Sequence, residues 1–207
     1  MASSGKPSAM SGERLPGDAS ISIRRLCPRD AVAYRALMLA AYADHPSAFL
    51  SEAGERAALP IDWWKGRLTD SPDALALVLG AFAMVEGDDG APRLVGAVGA
   101  GGEGRAKTRH KATVFGLHVD AAFRRRGIAR ALMEALLDAL AGRGEIALAQ
   151  LTVTDGNEAA SELYRRLGFR LYGTEPMAMK LDDGRYLAKL HLWYRLGARR
   201  AGTKAVG

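Results

Sequence analysis

Cysteine is almost absent from this 207-residue chain: Cys27 stands alone. A single thiol excludes an internal disulfide and a thiolate zinc cluster, and Cys27 is expected to pack as a small buried residue. Long hydrophobic runs are lacking too. The longest, residues 74–85, is too short to cross a bilayer, so no membrane partner is expected. The Ser/Gly/Pro-rich N-terminus has no hydrophobic stretch of the signal-peptide type, which predicts a cytoplasmic protein. Zinc-finger spacing and an aromatic-rich basic strand of the RNA-binding type are also missing, so no nucleic-acid partner is expected. The chain has no internal repeat and no linker that would split its body in two.

Apolar residues make up 48% of the chain and charged residues 25%, enough for one domain with a full core. The net charge of +6 and pI near 9.7 suit a polyanion without naming one. Part of that excess lies in Lys6, Arg14, Arg199, Arg200 and Lys204. Residues 1–19 read as a disordered tail, 20–197 as the folded domain and 198–207 as a basic tail.

Ile21, Ile23 and Leu26 begin a strand that stops at Pro28, and Asp30 can cap a helix reaching about residue 43. Residues 48–60 read as irregular, and 61–68 as a short helix carrying Trp63 and Trp64. The run 74–85 is a strand, turned by Gly87-Asp88-Asp89-Gly90 into a returning strand over 94–100. A basic loop follows at 105–111. Further on, 146–153 reads as a central strand buried on both faces. Residues 157–167 form a helix capped by Gly168, 169–173 a strand, and 187–196 the last strand.

The centre of the chain is residues 114–141, VFGLHVDAAFRRRGIARALMEALLDALA. Val114, Phe115, Leu117 and Val119 make a β-prone strand, and Asp120 to Phe123 a turn. Ile128, Leu132, Leu136 and Leu140 then recur every four residues along a helix, with Arg130 and Glu134 spaced to pair on its far side. First-turn N–H groups lack intrahelical partners and sit at the positive end of the helix dipole. Gly127 clears room beside them, so a diphosphate should dock there. The loop is neither G-x-x-x-x-G-K-[ST] nor G-x-G-x-x-G, which argues against a nucleoside triphosphatase or a dinucleotide site.

Arg124-x-x-Gly127-x-Ala129 instead resembles the [QR]-x-x-G-x-[GA] loop of the Gcn5-related N-acetyltransferases. A second stretch, Asn157-x-x-Ala160-x-x-Leu163-Tyr164-x-x-Leu167-Gly168-Phe169, is similar to that family's N-x-x-A-x-x-L-Y-x-x-L-G-F motif at every fixed position. The resemblance runs from about Ile21 to Leu196. His110-Lys111-Ala112, Tyr172-Gly173-Thr174-Glu175-Pro176 and Gly184-Arg185-Tyr186 resemble a bacterial branch whose acceptors are mostly unassigned.

The resemblance implies a single α/β domain, with a mixed, strongly twisted sheet of about six or seven strands flanked by helices. It implies acetyl-coenzyme A as co-substrate. Leu117, His118 and Val119 would pair their backbone with the pantetheine arm. Arg125, Arg126, Gly127, Ile128, Ala129 and Arg130 would offer N–H groups to the pyrophosphate, with charge added by Arg124, Arg125 and Arg126. Asn157 would reach the cofactor, and Tyr164 would stand near the sulfur and protonate the leaving thiolate. The bland alternatives are an N-cap for Asn157, a core residue for Tyr164 and a packing residue for His118.

The implied reaction moves an acetyl group to a primary amine, on a small molecule or a peptide, by direct attack in a ternary complex. The alternatives are a catalytically silent acyl-coenzyme A binding sensor or interaction protein, or an enzyme with a longer acyl donor. Deprotonating a lysine-like amine of pKa about 10.4 at neutral pH costs about 4 kcal/mol, an α-amine near 7.8 only about 1. Glu103, His110, His118, Tyr172 and Glu175 are candidate bases, as is ordered water. Trp63 and Trp64 could line the acceptor site or belong to the core. The loop 105–111 is a solvated edge, or a contact for the cofactor's 3′-phosphate or for an acidic acceptor. The acceptor should enter between residues 42–64 and 172–186, where Asp44, Glu52, Glu55, Asp62, Glu175, Asp182 and Asp183 suit a cationic amine. A homodimer through the last strands would fit the family. No metal is expected.

Overall fold

The computed structural model describes residues 21–69, 71, 74–84 and 91–197. Both expected tails and the turn at 87–90 lie outside the described residues. Seven strands form one sheet: β1 (Ile21–Arg25), β2 (Ala76–Ala83), β3 (Arg93–Gly102), β4 (Lys111–Val119), β5 (Leu148–Thr154), β6 (Arg170–Lys180) and β7 (Tyr186–Arg195). Their order is β1-β2-β3-β4-β5-β7-β6, and only β4 and β5 run parallel. The helices are α1 (Ala31–Asp44), α2 (Ala53–Ala57), α3 (Ile61–Gly66), α4 (Ile128–Ala141) and α5 (Glu158–Leu167).

The sheet separates two cores. α4 presents Ile128, Leu132, Met133, Leu136, Leu137 and Leu140 to one face, the helical stripe that the four-residue spacing predicted. α5 joins that face through Tyr164 and Leu167. On the other face Tyr34, Leu37, Met38 and Ala41 of α1 pack with Trp64 of α3, Leu26 and Leu68. β2 and β3 lie between the two layers and are buried almost throughout. Gly99 of β3 is one reason they fit: a Cβ there would stand 2.4 Å from the Phe115 ring, so only glycine lets Phe115 lie across the strand.

Four expectations need correction. Asp30 does not cap α1 with its side chain; its carboxylate accepts from Arg24 (2.7 and 2.8 Å) and from the Cys27 N–H (2.9 Å). The paired Arg24 holds that carboxyl well below the usual range. Cys27 is accordingly half-buried, its Sγ 3.3 Å from Asp30, rather than a packed core residue. The supposedly irregular 48–60 contains α2, a single turn in which Glu52 and Glu55 cap each other's backbone. β5 is not buried on both faces: Ala149, Leu151 and Val153 are inside, whereas Thr152 is exposed. Among the described residues no helix is long and apolar enough to cross a membrane.

Candidate active site

β4 and β5 pair over only three residues each, Lys111, Ala112 and Thr113 against Leu148, Ala149 and Gln150. The Gln150 side chain donates to Thr113 Oγ1 (3.1 Å) at the last pair. Beyond it the strands diverge, β4 running on to Val119 and β5 to Thr154 with no ladder between them. β4 stays paired with β3 on its other side, through a bulge at which Gly116 takes φ +65°. A cavity of about 360 Å³ occupies the fork. Tyr34 and Met38 of one core line it, as do Val114, Leu151 and Tyr164 of the other, so it passes through the sheet.

The loop after β4 is shaped by two left-handed residues. Arg125 has φ +61° and Gly127 φ +77°, one on each side of Arg126, and α4 starts at Ile128. Such alternation turns successive N–H groups toward one concave side, a shape that holds anions. Nothing stands within 4 Å of where a Cβ of Gly127 would project, so the concavity is open. Ile128 is buried and anchors the helix start, Ala129 is half-buried, and Arg125, Arg126 and Arg130 are exposed. Arg126 lies over Phe123 (5.2 Å), and Arg130 pairs with Glu134 (3.1 Å) as its spacing predicted. Arg124 departs from expectation: its Nε donates to the Val119 carbonyl (3.1 Å) and its Nη2 lies 2.7 Å from His45 Nε2. Its charge is drawn back to the end of β4.

Leu117 lines the cavity, but the His118 side chain turns to the α1 side, into a larger hollow of about 900 Å³. That hollow's Arg24–Asp30 and Arg93–Asp120 pairs neutralise each other, which leaves it little binding chemistry. His118 packs 6.0 Å from the His45 ring, and burial lowers its pKa to about 4, with Arg124 adding to the effect. The folded protein therefore carries His118 neutral, whereas the unfolded chain takes up a proton below about 6.5. Stability should fall as the pH drops from about 6.5 to 4, by roughly 2 kcal/mol after allowing for partial solvation of the ring. Urea melts from pH 7 to 4.5 check this: His118→Gln should flatten the slope, and an unchanged slope would clear His118.

Asn157 caps α5, its Oδ1 accepting from Ala160 N–H (3.2 Å), and also lines the cavity. Tyr164 lines it as well, although only 8% exposed, with its ring 5.7 Å from Phe169. Burial alone pushes its hydroxyl up to about 12, so the phenol keeps its proton at neutral pH. No expected base reaches the cavity. Glu103 faces a separate hollow with Arg109 and Arg143, Glu175 pairs with His191 (3.1 Å), and Tyr172 packs edge-on to that same histidine. Trp64 is core, and Trp63 is half-buried beside the cavity's arginines. None of the seven acidic residues expected around the acceptor lines the cavity.

Residues 37–169 match the family model described as the acetyltransferase (GNAT) family. The chain belongs to the GNAT family. Over 59 residues it is 48% identical to a [ribosomal protein bS18]-alanine N-acetyltransferase of Salmonella typhimurium, covering 28% of this chain and 39% of that one. Over 111 residues it is 32% identical to the L-amino acid N-acetyltransferase AaaT of Escherichia coli, covering 54% and 62%. The matched stretches thus span less than two thirds of either relative. A GNAT-family acetyltransferase from Streptococcus pneumoniae superposes with a TM-score of 0.70 at 21% identity, covering 85% of this chain and 99% of the other. The seven-stranded sheet is therefore the GNAT fold.

Three residues of this GNAT chain gain a place at the cavity only through the fold. Lys189 is buried in β7; its Nζ donates to Thr154 Oγ1 (2.7 Å) and the Ala48 carbonyl (3.3 Å), while Thr154 donates to the Ser47 carbonyl (2.7 Å). These bonds tie the segment after α1 across the fork, and burial lowers the Lys189 pKa. Arg56 and Arg67 line the cavity from the α1 side. No local signal marks any of them: each is one cation among many until the fold gathers them.

Proposed function

We propose that the chain is an acetyl-coenzyme A dependent N-acetyltransferase that acts on a primary amine in a ternary complex. The observation that carries the reading is the β4–β5 fork, with an anion-shaped loop at its open end and a buried tyrosine inside. Acetyl-coenzyme A, when bound, supplies an activated acetyl group as a thioester. The open concavity at Gly127 fits a diphosphate, and the backbone of Arg125, Arg126, Gly127, Ile128, Ala129 and Arg130 would hold it. The unpaired edge of β4, Leu117, His118 and Val119 included, would hold the extended arm by strand-like hydrogen bonds. Asn157 supports the arm from the start of α5, and Tyr164 presents its hydroxyl proton to the departing sulfur.

Arg124 contributes by position rather than charge, bracing the Val119 carbonyl at the mouth of the fork. The same reading covers a cytoplasmic setting and a homodimer. The latter is supported by Leu171, Tyr172 and Met177, exposed on the edge strand β6. Calorimetric titration with acetyl-coenzyme A, followed by thiol release against a panel of amines, tests the function. Binding in the micromolar range with turnover on at least one amine is expected. Binding without turnover would favour the silent sensor, and absence of binding would remove the reading altogether.

A further inference from the structure

We propose that the acceptor amine carries a carboxylate, held by Arg56 and Arg67 at the α1 side of the cavity. The inference rests on the acetyltransferase reading and names its substrate class. Arg56 and Arg67 come from α2 and the end of α3 and converge on one aromatic ring, their Cζ atoms 4.8 and 4.9 Å from the Trp63 centroid. Arg67 also lies 5.1 Å from the Phe115 ring, and Arg56 donates to Ser51 Oγ (2.6 Å). Stacking fixes the guanidinium planes, and a fixed planar fork is the geometry that recognises a carboxylate by two parallel hydrogen bonds.

What these arginines lack is an anion. Among the described residues neither forms an ion pair, and no Asp or Glu lines the cavity, whereas Lys189 adds a third cation. Two like charges beside one ring repel each other, and a bound anion would relieve that repulsion. The donor is not its source: the diphosphate has its own concavity at Gly127, the 3′-phosphate lies on the nucleoside side of that diphosphate, and the arm and thioester that enter the fork are uncharged. The charge must come with the acceptor. Of the acidic residues expected around a cationic amine, Glu52 and Asp182 line a neighbouring hollow instead.

The same cations do a second job. An ammonium brought beside Arg56, Arg67 and Lys189 is disfavoured relative to the neutral amine. The cavity can therefore release the amine's proton without a carboxylate base, which accounts for the absence of one from its lining.

The test is calorimetric titration of the full chain, with and without coenzyme A, using N-acetyl amino acids and their primary amides, then turnover on the matching free amines. At least one acid should bind tenfold or more tightly than its own amide, and the free amino acid should show a KM at least tenfold below its amide's. Arg56→Gln and Arg67→Gln should erase that preference, and Arg67→Lys should restore part of it, in variants whose melting temperatures show them folded. N-acetylaspartic acid α-amide separates a side-chain carboxylate from an α-carboxylate, and either one binding supports the proposal. If no acid outbinds its amide, or the arginine variants keep the preference, the proposal falls. Turnover on amides or peptide N-termini without acid preference would sink it while leaving the acetyltransferase reading intact. Acid preference without turnover on any amine would do the reverse.

Discussion

Gly127→Asp should weaken acetyl-coenzyme A binding at least a hundredfold, about 3 kcal/mol, while leaving the protein folded. The fold survives because nothing stands within 4 Å of the new Cβ, and because aspartate is among the residues least penalised at positive φ. The strain at φ +77° should cost about 1 kcal/mol. The carboxylate, however, would occupy the concavity that the loop presents to an anion. A like charge about 4 Å away costs about 4 kcal/mol at the effective dielectric of a protein surface, as much as losing two hydrogen bonds to the charged diphosphate. Gly127→Asn supplies the control, with nearly the same shape and backbone tolerance but no charge, and should stay within about tenfold of the parent. Calorimetry on both variants decides the matter: equal affinity in Gly127→Asp would move the diphosphate to some other part of the molecule.

Tyr164→Phe should lower turnover about a hundredfold, the range of a removed proton donor. Its affinity for acetyl-coenzyme A should hold within about threefold, because the ring that lines the cavity remains. Thermal stability should hold, since the ring keeps its packing against Phe169 and its place in the core. The raised pKa also limits what the hydroxyl does. Complete transfer of its proton to a thiolate of pKa about 8.5 would be uphill by about 5 kcal/mol, so the role to expect under the proposed function is that of a hydrogen-bond donor, with solvent completing the protonation. Activity should accordingly show no decline from tyrosine ionisation between pH 8 and 10. Full turnover in Tyr164→Phe would return the residue to a packing role.

The parts of the molecule that were legible in the sequence are those whose geometry is local. α5 could be read because Ala160, Leu163, Tyr164 and Leu167 mark one helical face and Gly168, at φ +95°, ends it. The loop at Gly127 could be read because strand, glycine and helix follow one another directly. α2 could not, since a single turn held by Glu52 and Glu55 has no periodicity. The fork could not either: where β4 and β5 part is set by register between strands separated by a whole helix. The convergence of Arg56 and Arg67 on Trp63 is equally non-local, so composition alone shows only the acidic residues of the same region.

An open sheet has two outer margins, here β1 and β6, but the parting of β4 and β5 gives this one two more in its interior. Rows of main-chain donors and acceptors that would otherwise invite a neighbouring chain are recessed between helical layers, where only a slender extended molecule can reach them. Those amides between Val114 and Val119 that face the fork rather than β3 should therefore exchange faster than their mid-sheet position suggests, and slow on ligand entry.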